Sequence, residues 1–153
     1  RRRLSTIGAG VRSLLVDVTN YVMHDLGQPV HGYDAHRLPG VDFSVRTARA
    51  GEKLLTLDGE ERELSAQDVV IACAGVPVAL AGVIGGALTA INDETTSLFI
   101  ESANFDPAAV RFTSKRHSLR TDASNRFEKN QSPYLTSYPL HRIVQLLTPH
   151  CPN

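Results

Sequence analysis

Two spacings organise the apolar residues of this chain. Val11, Leu14, Leu15, Val18, Val22 and Leu26 recur at intervals of three and four, which predicts an amphipathic helix ended by Gly27 and kept from continuing by Pro29. Asp17, Asn20 and His24, with Thr19 beside them, fall on the opposite side and read as its wet face. The basic start Arg1-Arg2-Arg3 reads as the tail of a preceding helix that ends at Gly8 or Gly10. Beyond Pro29 the spacing changes. Residues 30–34 form a short extended segment in which Gly32 permits close backbone approach, and residues 42–48 alternate as a strand through Phe43, Val45 and Thr47. Residues 54–57 and 61–64 pair about Asp58-Gly59, a type I′ hairpin signal. Residues 68–74 and 76–84 are near-continuous apolar runs, joined through Gly75 and Pro77, expected at the centre of a sheet.

The third part of the chain alternates polar turns with helices. Residues 92–96 are a polar turn leading into Leu98-Phe99-Ile100-Glu101, a strand in which Glu101 is the outlier. A carboxylate there either alternates out to water or is kept to recognise a donor. Asp106 and Pro107 are a cap and first residue for a helix running through His117. Residues 121–128 read as a polar, extended connection. Residues 133–147 form a last helix, packed through Leu140, Ile143, Val144 and Leu147 and kinked or delayed by Pro139. Many short strands among several helices argue for the α+β class.

At 153 residues with 42% apolar side chains, the chain is the size of one domain and can bury a core. Sixteen basic and sixteen acidic residues cancel, so no overall field selects nucleic acid or an anionic membrane. Locally, residues 52–68 carry six carboxylates against Lys53 and Arg62. Residues 111–129 carry Arg111, Lys115, Arg116, Arg120, Arg126 and Lys129 against Asp122 and Glu128. Either patch can be a solvated face. Two cysteines, Cys73 and Cys151, make neither a CxxC pair nor a disulfide framework, which suits a reducing cytoplasm. No apolar run approaches a membrane span.

Chemistry narrows in the same way. His31 and His36 are five apart, the wrong spacing for two ligands on one helical turn, so no metal is expected. There is no G-x-S-x-G, and Cys73 sits in an apolar run where a thiol is inert, so any hydrolysis would use water as nucleophile. The run from Gly82 to Gly86 fits neither nucleotide-loop pattern and reads as a tight turn or a wall where backbone approaches a ligand.

Five ordered blocks then carry a resemblance. They are Val16-Asp17-Val18-Thr19-Asn20-Tyr21-Val22 continued by residues 26–34, the run 81–86, Asn92-Asp93-Glu94-Thr95, Ile100-Glu101-Ser102-Ala103-Asn104-Phe105, and residues 116–128. Over nearly its whole length the chain resembles the editing module in the beta chain of bacterial phenylalanyl-tRNA synthetase. The resemblance implies a three-layer β/β/α fold with a β-sandwich-like core and flanking helices. It implies that residues 1–153 are a single editing module cut from a longer polypeptide, with residues 1–10 the tail of a preceding helix.

The implied activity is hydrolysis of tyrosine wrongly esterified to tRNA(Phe). The alternative is a non-catalytic tRNA-binding or structural module with an inactive pocket. By the same likeness Glu101 accepts the tyrosine hydroxyl, and His31 lies near the scissile ester, orienting water or steadying the ribose. Thr19 and Asn20 line that end, Gly85 leaves room for substrate, and Thr121 and Ala123 form pocket walls. The implied partners are the acceptor end of tRNA(Phe), the rest of the beta chain and an alpha subunit, in the cytoplasm and without a membrane. No cofactor is implied in this domain, although the parent synthetase uses ATP and Mg. After Glu128 the chain departs from the family pattern with Lys129-Asn130-Gln131-Ser132-Pro133, where Asn130 replaces a glycine in a left-handed turn.

Overall fold

The computed structural model describes residues 1–151. Helix α1 (Arg2–Thr6) and helix α2 (Leu14–Leu26) open the chain. Ser13 caps α2 by accepting from the Val16 amide, and Gly27 closes it at φ 75°, the left-handed conformation that a residue with a Cβ adopts at a cost. Strands β1 (His31–Asp34), β2 (Phe43–Thr47), β3 (Lys53–Leu55), β4 (Glu61–Glu63), β5 (Val69–Cys73), β6 (Val76–Leu80), β7 (Ile84–Gly85) and β8 (Leu98–Glu101) follow. Helices α3 (Pro107–Arg116), α4 (Asp122–Phe127) and α5 (Ser137–Leu147) complete the α+β fold.

All strand pairing is antiparallel. A four-stranded sheet runs β2-β5-β6-β7, and β1-β8 and β3-β4 form two separate pairs. The apolar runs form its inner strands β5 and β6, where Val70, Ala72, Cys73 and Leu80 are inaccessible to water. One core unites this sheet with Tyr33 of β1, Leu54 of β3, Val110 of α3 and Phe127 of α4. A smaller core joins Val18 and Val22 of α2 to Ile143 of α5, with Ile100 of β8 packed against it. Alternation therefore sends Ile100 to the helix pair and its neighbour Glu101 to the other side of β8. Gly32 of β1 is needed where it stands, since an added Cβ would lie 2.7 Å from Ile91 and 3.9 Å from the Thr19 methyl of α2.

Four expectations require correction. The type I′ turn is at Ala74-Gly75, both with positive φ, in the β5-β6 hairpin. At Asp58-Gly59 only Gly59 has positive φ, and Leu55 pairs with Glu61 across a longer loop in which the Gly59 amide bonds the Thr56 carbonyl. Asp58 is held there by its side chain, which accepts from Thr56 and from Arg62.

Residues 121–128 are not extended. Thr121 and Ser124 form a reciprocal capping box that starts α4, and Ala123 and Phe127, four apart, give the short helix an inner face. Helix α5 packs through Pro139, Ile143, Leu146 and Leu147, whereas Leu140 and Val144 are exposed. Pro139 occupies the third helical position, where no backbone donor is required, so it sets the start of the helix and does not kink it. Lastly, Asp17 on the expected wet face of α2 is buried, accepting from the Arg12 amide at 2.7 Å and from Arg1 at 3.0 Å.

The loop after Glu128 adopts the left-handed turn at Asn130, φ 62°. The acidic stretch is largely neutralised within the fold: Glu52 takes a two-pronged bond from Arg46, Glu61 pairs with Lys53, and Asp58 with Arg62. Asp68 is fully buried against His117, 3.0 Å away, which ties the end of α3 to the start of β5. Among the described residues no helix is long and apolar enough to cross a membrane.

Candidate functional site

The β1-β8 pair builds the centre of the site. Its register places His31 directly opposite Glu101 and Tyr33 opposite Phe99, so His31, Tyr33 and Glu101 share one face of the pair. The Tyr33 hydroxyl donates to Glu101 Oε2 at 2.7 Å, and the Tyr33 and His31 rings meet edge to face with centroids 4.5 Å apart. Glu101 Oε1 makes no hydrogen bond among the described residues, yet it is not sealed from the space beside it.

That space is a hollow of about 80 Å³ lined by His31, Ile71, Leu80, Glu101, Ala123 and Phe127, among others. His31, Ile84, Gly85 and Ala123 also line a cleft of about 750 Å³ that reaches Thr19, Asn20 and Thr121. The hollow and the cleft therefore adjoin, with the imidazole lining both and the Glu101 carboxylate lining the hollow.

Burial sets the charge state of both groups. Desolvation pushes the Glu101 carboxyl up to about 7, opposed by the hydrogen bond from Tyr33, which favours the ionised form. Burial alone pulls His31 down to about 4, so its ring is neutral at pH 7. Burial and the neighbouring Glu101 raise the Tyr33 phenol well above its ordinary value, so it remains a donor. His31 Nε2 is buried without a hydrogen-bond partner among the described residues. As placed, that nitrogen is sealed against Gly85, so the neutral imidazole holds a water or a substrate oxygen only once its ring turns toward the cleft, and it is far less suited to store a proton.

All seven residues singled out in the sequence line this connected space, in different capacities. Gly85 differs from expectation. An added Cβ would lie 2.4 Å from His31 Nε2, so the space left by its missing side chain is filled by the imidazole. The Thr121 hydroxyl is committed to capping α4 and to the Val83 carbonyl, 2.8 Å away. The Thr19 hydroxyl is bonded to the Val16 carbonyl at 2.9 Å. Both threonines shape the wall while their polar atoms are engaged. Of the three polar wall residues singled out in the sequence, Asn20 is the one whose side chain has no partner among the described residues.

Tyr33 is the residue that sequence reasoning missed. Its position two after His31 on a strand was the available signal, because alternation places the two on one face.

The sequence profile of the B3/4 domain family matches residues 1–152. A phenylalanine–tRNA ligase beta subunit from Streptomyces avermitilis is 49% identical over 150 residues, 96% of this chain and 18% of that protein. The beta subunit from Carboxydothermus hydrogenoformans is 51% identical over 124 residues, 80% of this chain and 16% of that protein. That from Oleidesulfovibrio alaskensis is 44% identical over 147 residues, 96% and 18% respectively. The chain thus spans less than a fifth of the length of these relatives, and by the profile match over almost all of its residues it belongs to the B3/4 domain family.

Proposed function

We propose that this domain hydrolyses the ester of tyrosine wrongly attached to tRNA(Phe), as part of a phenylalanine–tRNA ligase beta chain working with an alpha subunit in the cytoplasm. The observation that supports it most is a largely enclosed carboxylate lining a hollow, with one oxygen open and the His31 imidazole lining both that hollow and the adjoining cleft. A synthetic site built for phenylalanine excludes an added hydroxyl only weakly, by about a hundredfold in comparable hydrophobic pockets. A second site must therefore require that hydroxyl. Glu101 Oε1 accepts a phenol in a charge-assisted bond, whereas a bare ring over the same atom strips its hydration and costs about 1–3 kcal/mol.

With the ring in the hollow, the ester lies toward the cleft beside His31. Once the His31 ring turns from Gly85 toward the cleft, water held at the imidazole attacks the ester carbonyl, forming the new carbon–oxygen bond. The bond to the ribose oxygen then breaks and that oxygen takes up the proton. Neutral His31 orients the water, and no side chain serves as nucleophile. The test is deacylation of Tyr-tRNA(Phe) and Phe-tRNA(Phe) by H31A and E101A. The tyrosyl ester should be lost as a substrate by at least about tenfold in each, and full activity in both variants would remove the assignment.

One observation favours a second reading, a non-catalytic tRNA-binding or structural module. The inner hollow, at about 80 Å³, is smaller than the ~150 Å³ cavity that accepts a benzene ring. A hollow that cannot widen toward the cleft would leave the pocket inactive. Preference for free tyrosine over phenylalanine separates the two readings, since an inactive pocket shows none.

A further inference from the structure

We propose that Tyr33 is the specificity-determining positioning residue of this site: by donating to Glu101 Oε2 it leaves one acceptor, Oε1, so that the pocket is completed by a single phenol. The inference rests on the proposed tyrosyl specificity and deepens it. Tyr33 is fully buried and touches both groups of the site, bonded to Glu101 at 2.7 Å and set edge-on to His31 at 4.5 Å. Its ring is held from the other side by Phe43 and Phe99, which stack on each other 4.2 Å apart. The hydroxyl is therefore aimed at Glu101 by the aromatic rings packed around its own.

The consequence is a matter of matching donors to acceptors. A buried carboxylate with both oxygens unpartnered needs two donors, and a tyrosine substrate brings one hydroxyl. Tyr33 supplies the other from within the protein. It also prevents the carboxylate from turning away, so that Oε1 keeps a fixed distance from the imidazole and the substrate ring and ester are registered together. No further charged group faces Glu101 in the described structure. β1 offers His31 and Tyr33, β5 contributes Cys73 near Tyr33 and the apolar Ile71, and α4 presents Ala123 and Phe127. Tyr33 is thus the one group that favours the ionised carboxylate against its burial.

The test is Y33F in the full chain, which retains the aromatic packing and removes only the donor. With tRNA carrying tyrosine, KM is expected to rise about tenfold with kcat little changed, and the pH midpoint of kcat/KM to move up by about one unit. With tRNA carrying phenylalanine little should change. An unaltered KM and midpoint for the tyrosyl ester would overturn the assignment, as would equal losses on both esters. A second readout does not depend on hydrolysis: the protonated-carboxyl infrared band of Glu101, identified by its loss in E101Q, should titrate about one unit higher in Y33F. If the unaltered protein hydrolyses neither ester, the functional reading fails while this band still decides the role of Tyr33. A band that titrates identically in both proteins overturns it.

Discussion

Glu101 and His31 are held against their solution preferences, and the two strains act at opposite ends of the pH scale. The folded-state value of Glu101, about 7, lies above its ordinary 4.5, so the fold gains from its neutral form at low pH and loses stability as pH rises through 7. The cost at pH 8 is about 3 kcal/mol. E101Q keeps an acceptor for Tyr33 without the charge, and should exceed the unaltered chain in stability by about 1–3 kcal/mol at pH 8 while converging with it near pH 4, read by denaturant unfolding at each pH. His31 runs the other way. Its folded value, about 4, lies below 6.5, so its contribution is complete above 6.5 and is lost as pH falls toward 4. The pH dependence of substrate recognition near neutrality follows Glu101, and KM for the tyrosyl ester should fall as pH rises through about 7. Gly85 is the third residue with a sharp expectation. G85A forces a Cβ to within 2.4 Å of the imidazole in the present arrangement, so the ring must move. The expected result is a loss of deacylation of more than about tenfold with a stability loss of about 1–3 kcal/mol.

At the level of elements, helix α4 shows how a short segment is specified by its cap. Thr121 bonds the Ser124 amide and the Val83 carbonyl, so one hydroxyl both starts the helix and ties it to the chain entering β7. T121A should cost about 1–2 kcal/mol in thermal or denaturant unfolding, and T121S should restore most of it. Because Ala123 lies two residues after that cap, within the first turn of α4, and lines both parts of the pocket, T121A is also expected to weaken tyrosine binding. The element pattern was largely readable from the residues. The three-and-four spacing in α2, its Gly27 cap, Asp106 and Pro107 before α3, and the extended segments at β1, β2 and β8 follow from local rules, whereas the Ser13 cap that starts α2 after Val11, and the exposure of Val45 in β2, were not read. Helix α4 escaped because six residues carry too few apolar positions to declare a period, and the exposed Leu140 and Val144 of α5 gave the right period with the wrong side inward.

Across the whole molecule, charge is less polarised than the composition by segment suggests. Of the basic run, Arg120 is paired with Glu128 and Arg126 with Asp122, and Arg126 also meets His24 of α2. Arg111, Lys115 and Lys129 remain exposed and make no ion pair among the described residues. If those three meet acceptor-end phosphates, kcat/KM for Tyr-tRNA(Phe) should fall by about 20- to 40-fold for a roughly fourfold rise in salt, and R111A combined with K115A should flatten that dependence. An unchanged slope in the double variant would place the tRNA elsewhere on the surface.

The amino-acid sequence by itself determined the class of fold, the Gly27 end of α2 and the Asp106 start of α3, the burial of residues 70–73 and 78–80, and the presence of an acid in an otherwise apolar strand. Those follow from local sterics and from the period at which apolar side chains repeat. Only the tertiary structure decided that Tyr33 meets Glu101 from 68 residues away, that the His31 ring occupies the space above Gly85, and that Asp17 turns inward to the Arg12 amide. The reason is physical: a period tells which side of an element avoids water, whereas the partner on that side, and with it the ionisation of a buried group, is set by the packing of elements that are distant in the chain.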